Sequence, residues 1–330
     1  MENNKYKVCA VIVTYGDRFH LLEQVMAACY EEGVNKVIVV DNASEQSNRE
    51  QLKEYEKEKQ DKLKVIYLDE NTGSAGGYKR GLQEAYSCED CEYILALDDD
   101  NVLPNNFLQK ITNVLNYLDD IPKEKLMLST FRPIWSIDRK VVEEGWIKGY
   151  DNNNFLGMNF IKILRKFLVK NKKKNLFFPL NPIDVASMGG LFFHKSVIDF
   201  IGYPKDKLFL YADDHEYTYR FTQKGGKLFM CGNIVVDDID QTSKNDSGES
   251  IGFFHKDFSK MKLYYTVRNH TYFSKQFVTF KPFFYGNMLF VSVVYLKNIF
   301  KTPLGEFYDR YKLYVKAIYD GLNDKLGERY

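Results

Sequence analysis

The first hundred residues alternate between short apolar runs and segments with helical periodicity, and this alternation constrains the fold more than any other feature. The apolar runs cover residues 7–13, 36–40, 64–68 and 93–97. They are continuously apolar, as in strands that are buried on both faces of a parallel sheet. The helical segments are predicted at 17–33, 45–60 and 74–86. This order predicts an α/β fold with a mostly parallel, doubly wound sheet.

The segment 17–33 illustrates the helical pattern. Its apolar residues recur at helical spacing, and one face is formed by Phe19, Leu22, Met26, Cys29 and Tyr30. We expect Asp17 to cap the first turn, because a carboxylate can accept hydrogen bonds from the free N–H groups there. Gly33 is expected to end the helix.

Polar residues follow each of the four predicted strands. In strand order they are Thr14 and Tyr15, Asp41 and Asn42, Glu70 and Asn71, and Asp98. In open α/β sheets, ligands bind in the crevice outside the carboxyl ends of the strands. We therefore expect a ligand site at this edge of the sheet.

Three consecutive aspartates, Asp98, Asp99 and Asp100, follow the fourth strand. Alternate residues of an extended chain share a face, so Asp98 and Asp100 are expected on one side. Hard divalent cations such as Mn²⁺ and Mg²⁺ take carboxylate oxygens as ligands. The triplet therefore predicts a cation site, although an acidic turn that caps the helix after Pro104 would have the same composition.

The stretch ENTGSAGGYKRG, residues 70–81, is rich in glycine. Small residues let the backbone approach a ligand closely, and the N-terminus of a following helix favours anions. The glycine spacing fits neither a Walker loop nor GxGxxG. Arg80 is either a contact for a diphosphate or a solvated side chain.

An acidic cluster of Asp213, Asp214 and Glu216 opens a predicted helix, with Arg220 one turn after Glu216. Acids in the first turn also stabilise a helix through its dipole, so capping is an alternative reading. The cluster is denser than a cap requires. A general base must be a carboxylate or an imidazole within reach of the proton, and Asp214 is the candidate.

Taken in order, six segments resemble family 2 glycosyltransferases with the GT-A fold, over about residues 7–235. The segments are VTYG, VVDNAS, ENTGSAGGYKRG, LALDDDN, SMGGLFF and LYADDHEYTYR. DNAS together with NTGSAGG and the DDD triplet is most similar to the galactofuranosyltransferase and rhamnosyltransferase branch. The resemblance implies an inverting, metal-dependent transfer of a sugar from a nucleotide donor to a hydroxyl group. UDP-galactofuranose is the favoured donor and dTDP-rhamnose the next.

The resemblance also implies a role for each matching position. Asp214 would be the catalytic base. Donor contacts would come from Thr14, Tyr15, Asp41, Asn71, Gly73, Gly76, Gly77, Arg80, Asp98 and Asp99. Acceptor contacts would come from Gly189, Gly190, Asp213 and Glu216. Asp98 and Asp100 would hold Mn²⁺ or Mg²⁺ as a DxD motif.

The third metal ligand departs from the family pattern. Many relatives place a histidine after the next strand, where this chain has Asp237 and Asp238. Either of these carboxylates, or His255 from a later segment, is expected to supply that ligand.

Charge and composition limit the partners. The 46 basic and 45 acidic side chains nearly cancel, so no nucleic acid partner is expected. The N-terminus has no apolar run behind a basic stretch, which predicts no secretory signal, and five cysteines suit a reducing cytosol. We expect a GT-A domain over 1–240, with an acceptor half at about 126–240, and a helical extension over 241–330.

Two stretches indicate a membrane-surface role. The segment between Phe160 and Phe178 carries one arginine and six lysines with no acid, which fits a solvated helix or a contact with anionic lipid. Residues 283–300 are apolar but interrupted by polar side chains, which favours a docking helix, a homo-oligomer contact or a monotopic membrane helix over a span. The acceptor is therefore expected to be a lipid-linked cell-surface glycan or an oligosaccharide, reached from the inner face of the membrane.

Two other functions fit the sequence less well. A nucleotidyltransferase would need a glycine-rich, lysine-bearing loop after the first strand, and VTYGDRFH has none. A non-catalytic nucleotide-sugar-binding protein would not need the acidic cluster around Asp214.

Overall fold

The computed structural model describes residues 6–145, 149–161, 177–240, 252–255, 257–300 and 302–330. Most of the basic stretch predicted between Phe160 and Phe178 lies outside these residues. The chain divides into two compact units. The first comprises Met1–Gly149, Lys174–Asp206 and Asp214–Gln241, and the second comprises Tyr150–Lys173, Lys207–Asp213 and Thr242–Tyr330. The middle segments 150–173 and 207–213 thus group with the C-terminal residues. The chain passes from the first unit to the second for the last time after Gln241, which is next to the boundary expected at 240.

The first unit contains an eight-stranded sheet. Its strands, numbered along the chain and given in spatial order, are β3 (Leu63–Tyr67), β2 (Lys36–Asp41), β1 (Val8–Thr14), β4 (Tyr93–Asp98), β8 (Leu191–His194), β6 (Leu126–Phe131), β9 (Lys227–Val235) and β7 (Leu180–Pro182). Among these strands of the described residues, β7 and β8 run antiparallel to the other six. The predicted mostly parallel sheet is therefore confirmed.

Helices cover both faces of this sheet. They are α1 (Phe19–Glu31), α2 (Gln46–Lys59), α3 (Gly73–Ser87), α4 (Phe107–Tyr117), α5 (Ser136–Glu144), α6 (Val197–Ile201) and α7 (Asp213–Gln223). Val8, Ala10 and Ile12 of β1 belong to the core on one face, and Cys9 and Val11 belong to the core on the other. Both faces of the strand are buried, which explains why its sequence is continuously apolar.

The start of α1 differs from the prediction. Arg18 occupies the N-cap position and no side chain caps the helix, so the assignment of Asp17 as the cap is wrong. The end is as expected, because Gly33 follows the helix with φ +80°. Few residues other than glycine adopt that backbone conformation.

Two glycines of α3 allow the helix to lie close to the sheet. A Cβ atom on Gly77 would overlap Val13 of β1, and one on Gly81 would overlap Val11. The glycine-rich motif is therefore needed, at these two positions, for packing of a helix on a strand.

The second unit is helical in its described C-terminal part. Its helices are α8 (Lys260–Phe277), α9 (Lys281–Leu296) and α10 (Leu304–Leu322). Leu263, Phe284, Phe307 and Tyr314 belong to one buried cluster. The unit therefore has an apolar core of its own.

Replacing Gly77 with alanine tests the packing of α3. The added methyl group would overlap Val13, and overpacking of this kind costs about 1–3 kcal/mol of unfolding free energy. Gly286→Ala in α9 is the control, because among the described residues no atom beyond its chain neighbours and the nearby backbone of its own helix lies within 4 Å of the position that its Cβ would occupy. Alanine there should be stabilising by about 0.5–1 kcal/mol. Urea denaturation measures both, and a Gly77→Ala protein as stable as the wild type would contradict the close packing.

Candidate active site

The carboxyl ends of the parallel strands meet at one edge of the sheet. Thr14 at the end of β1 pairs in register with Asp41 at the end of β2, and Val13 pairs with Asp98 at the end of β4. Arg132 follows directly after β6. The polar residues that the sequence places after the strands therefore lie along one edge.

A short ribbon ties the aspartate triplet to the end of β9. Its strands are β5 (Asn101–Val102) and β10 (Asp237–Asp238), with Asp238 opposite Asn101. The amide of Asn101 donates to Asp238 over 2.9 Å and to Asp100 over 3.2 Å. Its side-chain oxygen accepts a bond from the backbone N–H of Asp98 at 3.0 Å. Asn101 thus brings Asp238 beside the triplet.

Two arginines that sequence reasoning missed balance part of this acidic charge. Arg18 donates to both carboxylate oxygens of Asp99 at 2.9 and 3.0 Å, and it lies 2.6 Å from Asp240 and 3.6 Å from Asp100.

The second is Arg132, which is 5% exposed. It donates to Asp238 and lies 3.4 Å from a carboxylate oxygen of Asp98 and 3.2 Å from the hydroxyl of Ser187. Its position after a strand is the signal that would have found it, because it matches the other polar strand ends.

The cluster remains short of positive charge. Among the ion pairs of the described residues, the guanidinium groups of Arg18 and Arg132 pair with five carboxylates. Burial, followed by the charges of Asp98, Asp99 and Asp238, raises the pKa of Asp100 to about 7. Burial also raises the pKa of Asp99, against the opposing effect of Arg18. A cation at this site would relieve the repulsion.

The exposure of the triplet decides which members can hold a cation. The side chains of Asp98 and Asp100 are 42% and 17% exposed, whereas that of Asp99 is 4% exposed. Asp99 also accepts a bond from the hydroxyl of Thr14 at 2.8 Å. Asp98 and Asp100 therefore fit a divalent cation, and Asp99 is directed into the protein.

The described residues do not form a preorganised metal site with three protein ligands. No group of three His, Cys, Asp or Glu side chains in the described part of the chain converges as a metal site. Mg²⁺ sites commonly use one or two carboxylates and complete their coordination with substrate phosphates and water, which suits this pair. Asp238 is bonded to Arg132 and Asn101. His255 is exposed in the second unit, 3.5 Å from Asp257. A role for Asp238 or His255 as the third metal ligand stays a prediction.

The predicted donor residues divide into buried and exposed sets. Asp41 is fully buried: its carboxylate accepts a bond from the backbone N–H of Ser44 at 3.1 Å and lies 2.5 Å from Arg49. Contact of Asp41 with a base would require this pair to open. Tyr15 is 54% exposed, with the guanidinium of Arg18 5.6 Å from the centre of its ring.

Asn71 orients the start of the glycine-rich helix. Asn71 and Arg80 are exposed. The side-chain oxygen of Asn71 accepts a bond from the backbone N–H of Gly73 at 2.8 Å, and Gly73 has φ +69°. A Cβ on Gly76 would overlap Thr72, so this turn is tight as well. Donor contact by these residues stays a prediction.

The glycines expected on the acceptor side lie against the acidic cluster. A Cβ on Gly189 would overlap the side chains of Asp98, Asn101 and Arg132. Gly190 has φ +82° and would overlap Thr130 in the same way. The segment that contains these two glycines therefore forms one wall of the site.

Asp214 is the second residue of α7 and is partly exposed. Its carboxylate accepts a bond from the backbone N–H of His215 at 2.7 Å. The hydroxyl of Thr218 donates to the backbone oxygen of Asp214 at 2.8 Å and accepts from the N–H of Ala186 at 3.1 Å. The first turn of α7 is thereby tied to the segment that leads into Gly189.

The other two acids of this cluster are buried. Glu216 has no exposed surface, and its carboxylate lies 2.9 Å from Lys205 and 3.0 Å from Arg220. Asp213 is 3% exposed. Glu216 supports the helix in this arrangement, so contact with an acceptor would require its ion pairs to break.

Comparison with known proteins agrees with this architecture. A family model described as glycosyl transferase family 2 matches residues 9–179, which is more than half of the chain. The chain belongs to glycosyl transferase family 2. The predicted enzyme class, glycosyltransferase, is that of the family. A search of curated proteins returned no match.

Two solved glycosyltransferase structures share the fold of this family 2 chain. GalNAc-T7 with UDP, GalNAc and Mn²⁺ is 13% identical with a TM-score of 0.55, over 83% of this chain and 48% of its own. The mannosyltransferase PcManGT from Pyrobaculum calidifontis, in complex with GDP-Man and Mn²⁺, is 14% identical with a TM-score of 0.53, over 97% and 88%. The chain thus spans about half the length of GalNAc-T7. At these identities the likeness concerns the fold, and the GT-A prediction is confirmed.

The pKa of Asp100 should make Mn²⁺ binding dependent on pH. A hard cation binds the ionised carboxylate, so affinity should fall about tenfold for each pH unit below about 7. In the metal-free protein, the raised pKa makes this group stabilising at low pH, and that stabilisation is lost as the pH rises through about 7.

Isothermal titration calorimetry at pH values from about 5.5 to about 8, which lie on both sides of this pKa, would measure the effect. Asp100→Asn should weaken binding and remove the dependence on pH. Asp90→Asn, at an exposed carboxylate that pairs with Lys7, should leave both unchanged. An affinity that stays constant across this range in the wild type would contradict the assignment.

Proposed function

We propose that this chain transfers a sugar, with inversion, from a nucleoside diphosphate donor to a hydroxyl group of an acceptor. The observation that carries the proposal is the acidic cluster at the sheet edge, in which the side chains of Asp98 and Asp100 are partly exposed to solvent. Such a cluster repels a diphosphate by itself and attracts one through a divalent cation. A divalent cation bound there would neutralise the charge that develops on the departing diphosphate.

Asp214 is the proposed base. Its carboxylate takes the proton of the acceptor hydroxyl, and the freed oxygen forms a bond to the anomeric carbon of the donor. The bond from that carbon to the diphosphate breaks as its electron pair leaves with the phosphate oxygen. Attack from the side opposite the diphosphate inverts the anomeric configuration, and no covalent enzyme intermediate is needed.

The donor we propose is UDP-galactofuranose, with dTDP-rhamnose as the alternative. The proposal is supported by the order and the residues of the motifs, which resemble the galactofuranosyltransferase and rhamnosyltransferase branch of the family. The relatives whose structures hold UDP or GDP-Man together with Mn²⁺ support the use of Mn²⁺ or Mg²⁺. Tyr15, Asn71 and Arg80 are the exposed side chains proposed to contact the donor.

Release of nucleoside diphosphate from a panel of nucleotide sugars tests the proposal. The protein would be incubated with Mn²⁺, each donor and a lipid extract as the source of acceptor. We expect release from UDP-galactofuranose or dTDP-rhamnose, and a fall of about 10²–10⁴-fold in Asp214→Asn with retained binding of the nucleotide.

The surface variant Asp199→Asn should retain full turnover, because that carboxylate contacts the exposed Tyr86. Undiminished turnover in Asp214→Asn would assign the base to another residue. Absence of release from every donor would contradict the proposed transfer.

We also propose that the acceptor is lipid-linked and that the chain attaches peripherally to the inner face of the cell membrane. Within the described residues, Lys281–Phe300 is the helical segment long and apolar enough to cross a membrane, and 17% of its apolar window is buried. Tyr285, Leu289, Val293 and Leu296 are exposed at helical spacing. This pattern supports a helix that lies in the membrane interface.

The polar interruptions of this segment support the same placement. Asn287 is fully buried and donates to the backbone oxygen of Asn153 at 2.7 Å. The hydroxyl of Ser292 contacts that of Tyr314 at 3.0 Å. These polar groups are satisfied inside the second unit, and Lys281 and Lys297 are exposed near the helix ends, where they can meet anionic headgroups.

Co-sedimentation with vesicles of phosphatidylglycerol and phosphatidylcholine measures this attachment. We expect the wild type to pellet and a Leu289→Glu, Val293→Glu double variant to shift largely to the supernatant. Tyr117→Glu, at an exposed apolar residue of α4, is the control and should still pellet. A wild type that stays in the supernatant would contradict the membrane contact, and a dimer in size-exclusion chromatography that the double variant abolishes would favour a homo-oligomer.

A further inference from the structure

The loop that precedes α7 has a strained backbone. Phe209, Tyr211 and Ala212 have φ of +66°, +66° and +60°. This is the left-handed region, where a Cβ atom is crowded by the following carbonyl group and where glycine is the usual residue. The loop continues directly into Asp213 and Asp214. Strain of this kind persists only when the surroundings hold it in place.

Asn269 of α8 holds this loop through its backbone. The residue is fully buried, and its side-chain nitrogen lies 2.7 Å from the carbonyl oxygens of both Leu208 and Leu210. The carbonyl oxygen of Tyr211 is 2.9 Å from the same nitrogen. One amide group thus contacts three carbonyl groups of the strained loop.

Arg268 fixes the orientation of that amide. Its Nε donates to the side-chain oxygen of Asn269 at 2.8 Å, and a terminal nitrogen donates to the carbonyl oxygen of Leu208 at 2.9 Å. The other terminal nitrogen donates to the carbonyl oxygen of Gly327 at 2.6 Å. The guanidinium also lies 4.7 Å from the centre of the Tyr265 ring.

The burial of Arg268 is costly for a residue with only a packing role. It is fully buried, and no carboxylate of the described chain lies within ion-pair distance of it. Burial lowers the pKa of its guanidinium. A buried charge is tolerated when it satisfies specific polar groups, and here those groups are carbonyls of the loop before α7 and of the C-terminal segment.

We infer that Arg268 and Asn269 are positioning residues, which hold the strained loop 208–212 and thereby set the direction of the Asp214 carboxylate. The inference rests on the proposed role of Asp214 as the base. Without these bonds the loop would relax toward ordinary φ values, and the first turn of α7 would move with it. A base that is displaced by about 1 Å can lose about a hundredfold in rate.

Asn269→Ala tests the inference against a matched control. Asn287→Ala removes another fully buried amide of the second unit, which bonds to the backbone of Asn153 and Phe160. That segment does not lead into α7. We expect similar losses of melting temperature in both variants. Only Asn269→Ala should lower kcat, by about tenfold to a hundredfold, with the donor KM within about twofold of the wild type. Equal kcat values for the two variants would overturn the inference.

Ala212→Gly separates positioning from stability. Glycine adopts positive φ without a Cβ penalty, so we expect the melting temperature to rise by about 2–4 °C while kcat falls. Gln60→Gly is the control, since exposed Gln60 has φ +40° at the end of α2. It should be stabilising without loss of kcat. An Ala212→Gly enzyme that is more stable and fully active would contradict a role for the strain.

Hydrogen exchange provides a readout that does not depend on the donor. The backbone amides of 209–214 should exchange faster in Asn269→Ala than in Asn287→Ala. Unchanged exchange in this loop would overturn the inference even if kcat falls. Faster exchange, in a protein that transfers no sugar from any donor, would show that Asn269 holds this loop and would contradict the proposed function.

Discussion

Repulsion between carboxylates at the carboxyl edge of the sheet is the interaction on which the site depends. Asp98, Asp99 and Asp100 are adjacent in the chain, and the β5–β10 ribbon adds Asp238 to the same cluster. Arg18 and Arg132 compensate part of the charge. Burial, followed by the charges of Asp98, Asp99 and Asp238, raises the pKa of Asp100 to about 7 against the opposing effect of Arg18. A divalent cation would offset this excess of negative charge, and it would allow the site to bind the diphosphate of the proposed donor, which the carboxylates alone would repel.

The fold supplies the geometry that brings these charges together. Six strands run in one direction, so their carboxyl ends converge although they come from distant parts of the sequence. Gly77 and Gly81 allow α3 to approach β1 closely, and Gly189 leaves room for the side chains of Asp98 and Arg132. Glycines that sequence patterns associate with ligand access therefore also serve packing.

Local patterns predicted the first half of the molecule well and the ion pairs poorly. The strands and helices up to Asp98 follow from periodicity, because their residues are buried on one or both faces of the sheet. The prediction of Asp17 as the cap of α1 was wrong because Arg18, which occupies the N-cap position, is held by Asp99 and Asp240. Asp240 lies 222 residues from Arg18 in the chain, so a local pattern does not indicate this contact. The buried pairs of Asp41 with Arg49 and of Glu216 with Lys205 are likewise tertiary contacts. Arg132 follows a strand as the other site residues do, so the rule that found Asp98 would also have found it.

Anomalous scattering of manganese, in crystals grown with Mn²⁺ and UDP, is the most direct measurement of the central claim. We predict a peak between the carboxylates of Asp98 and Asp100, with the diphosphate of UDP beside it. An ion located away from the triplet, or UDP bound elsewhere with no ion near these carboxylates, would contradict the claim.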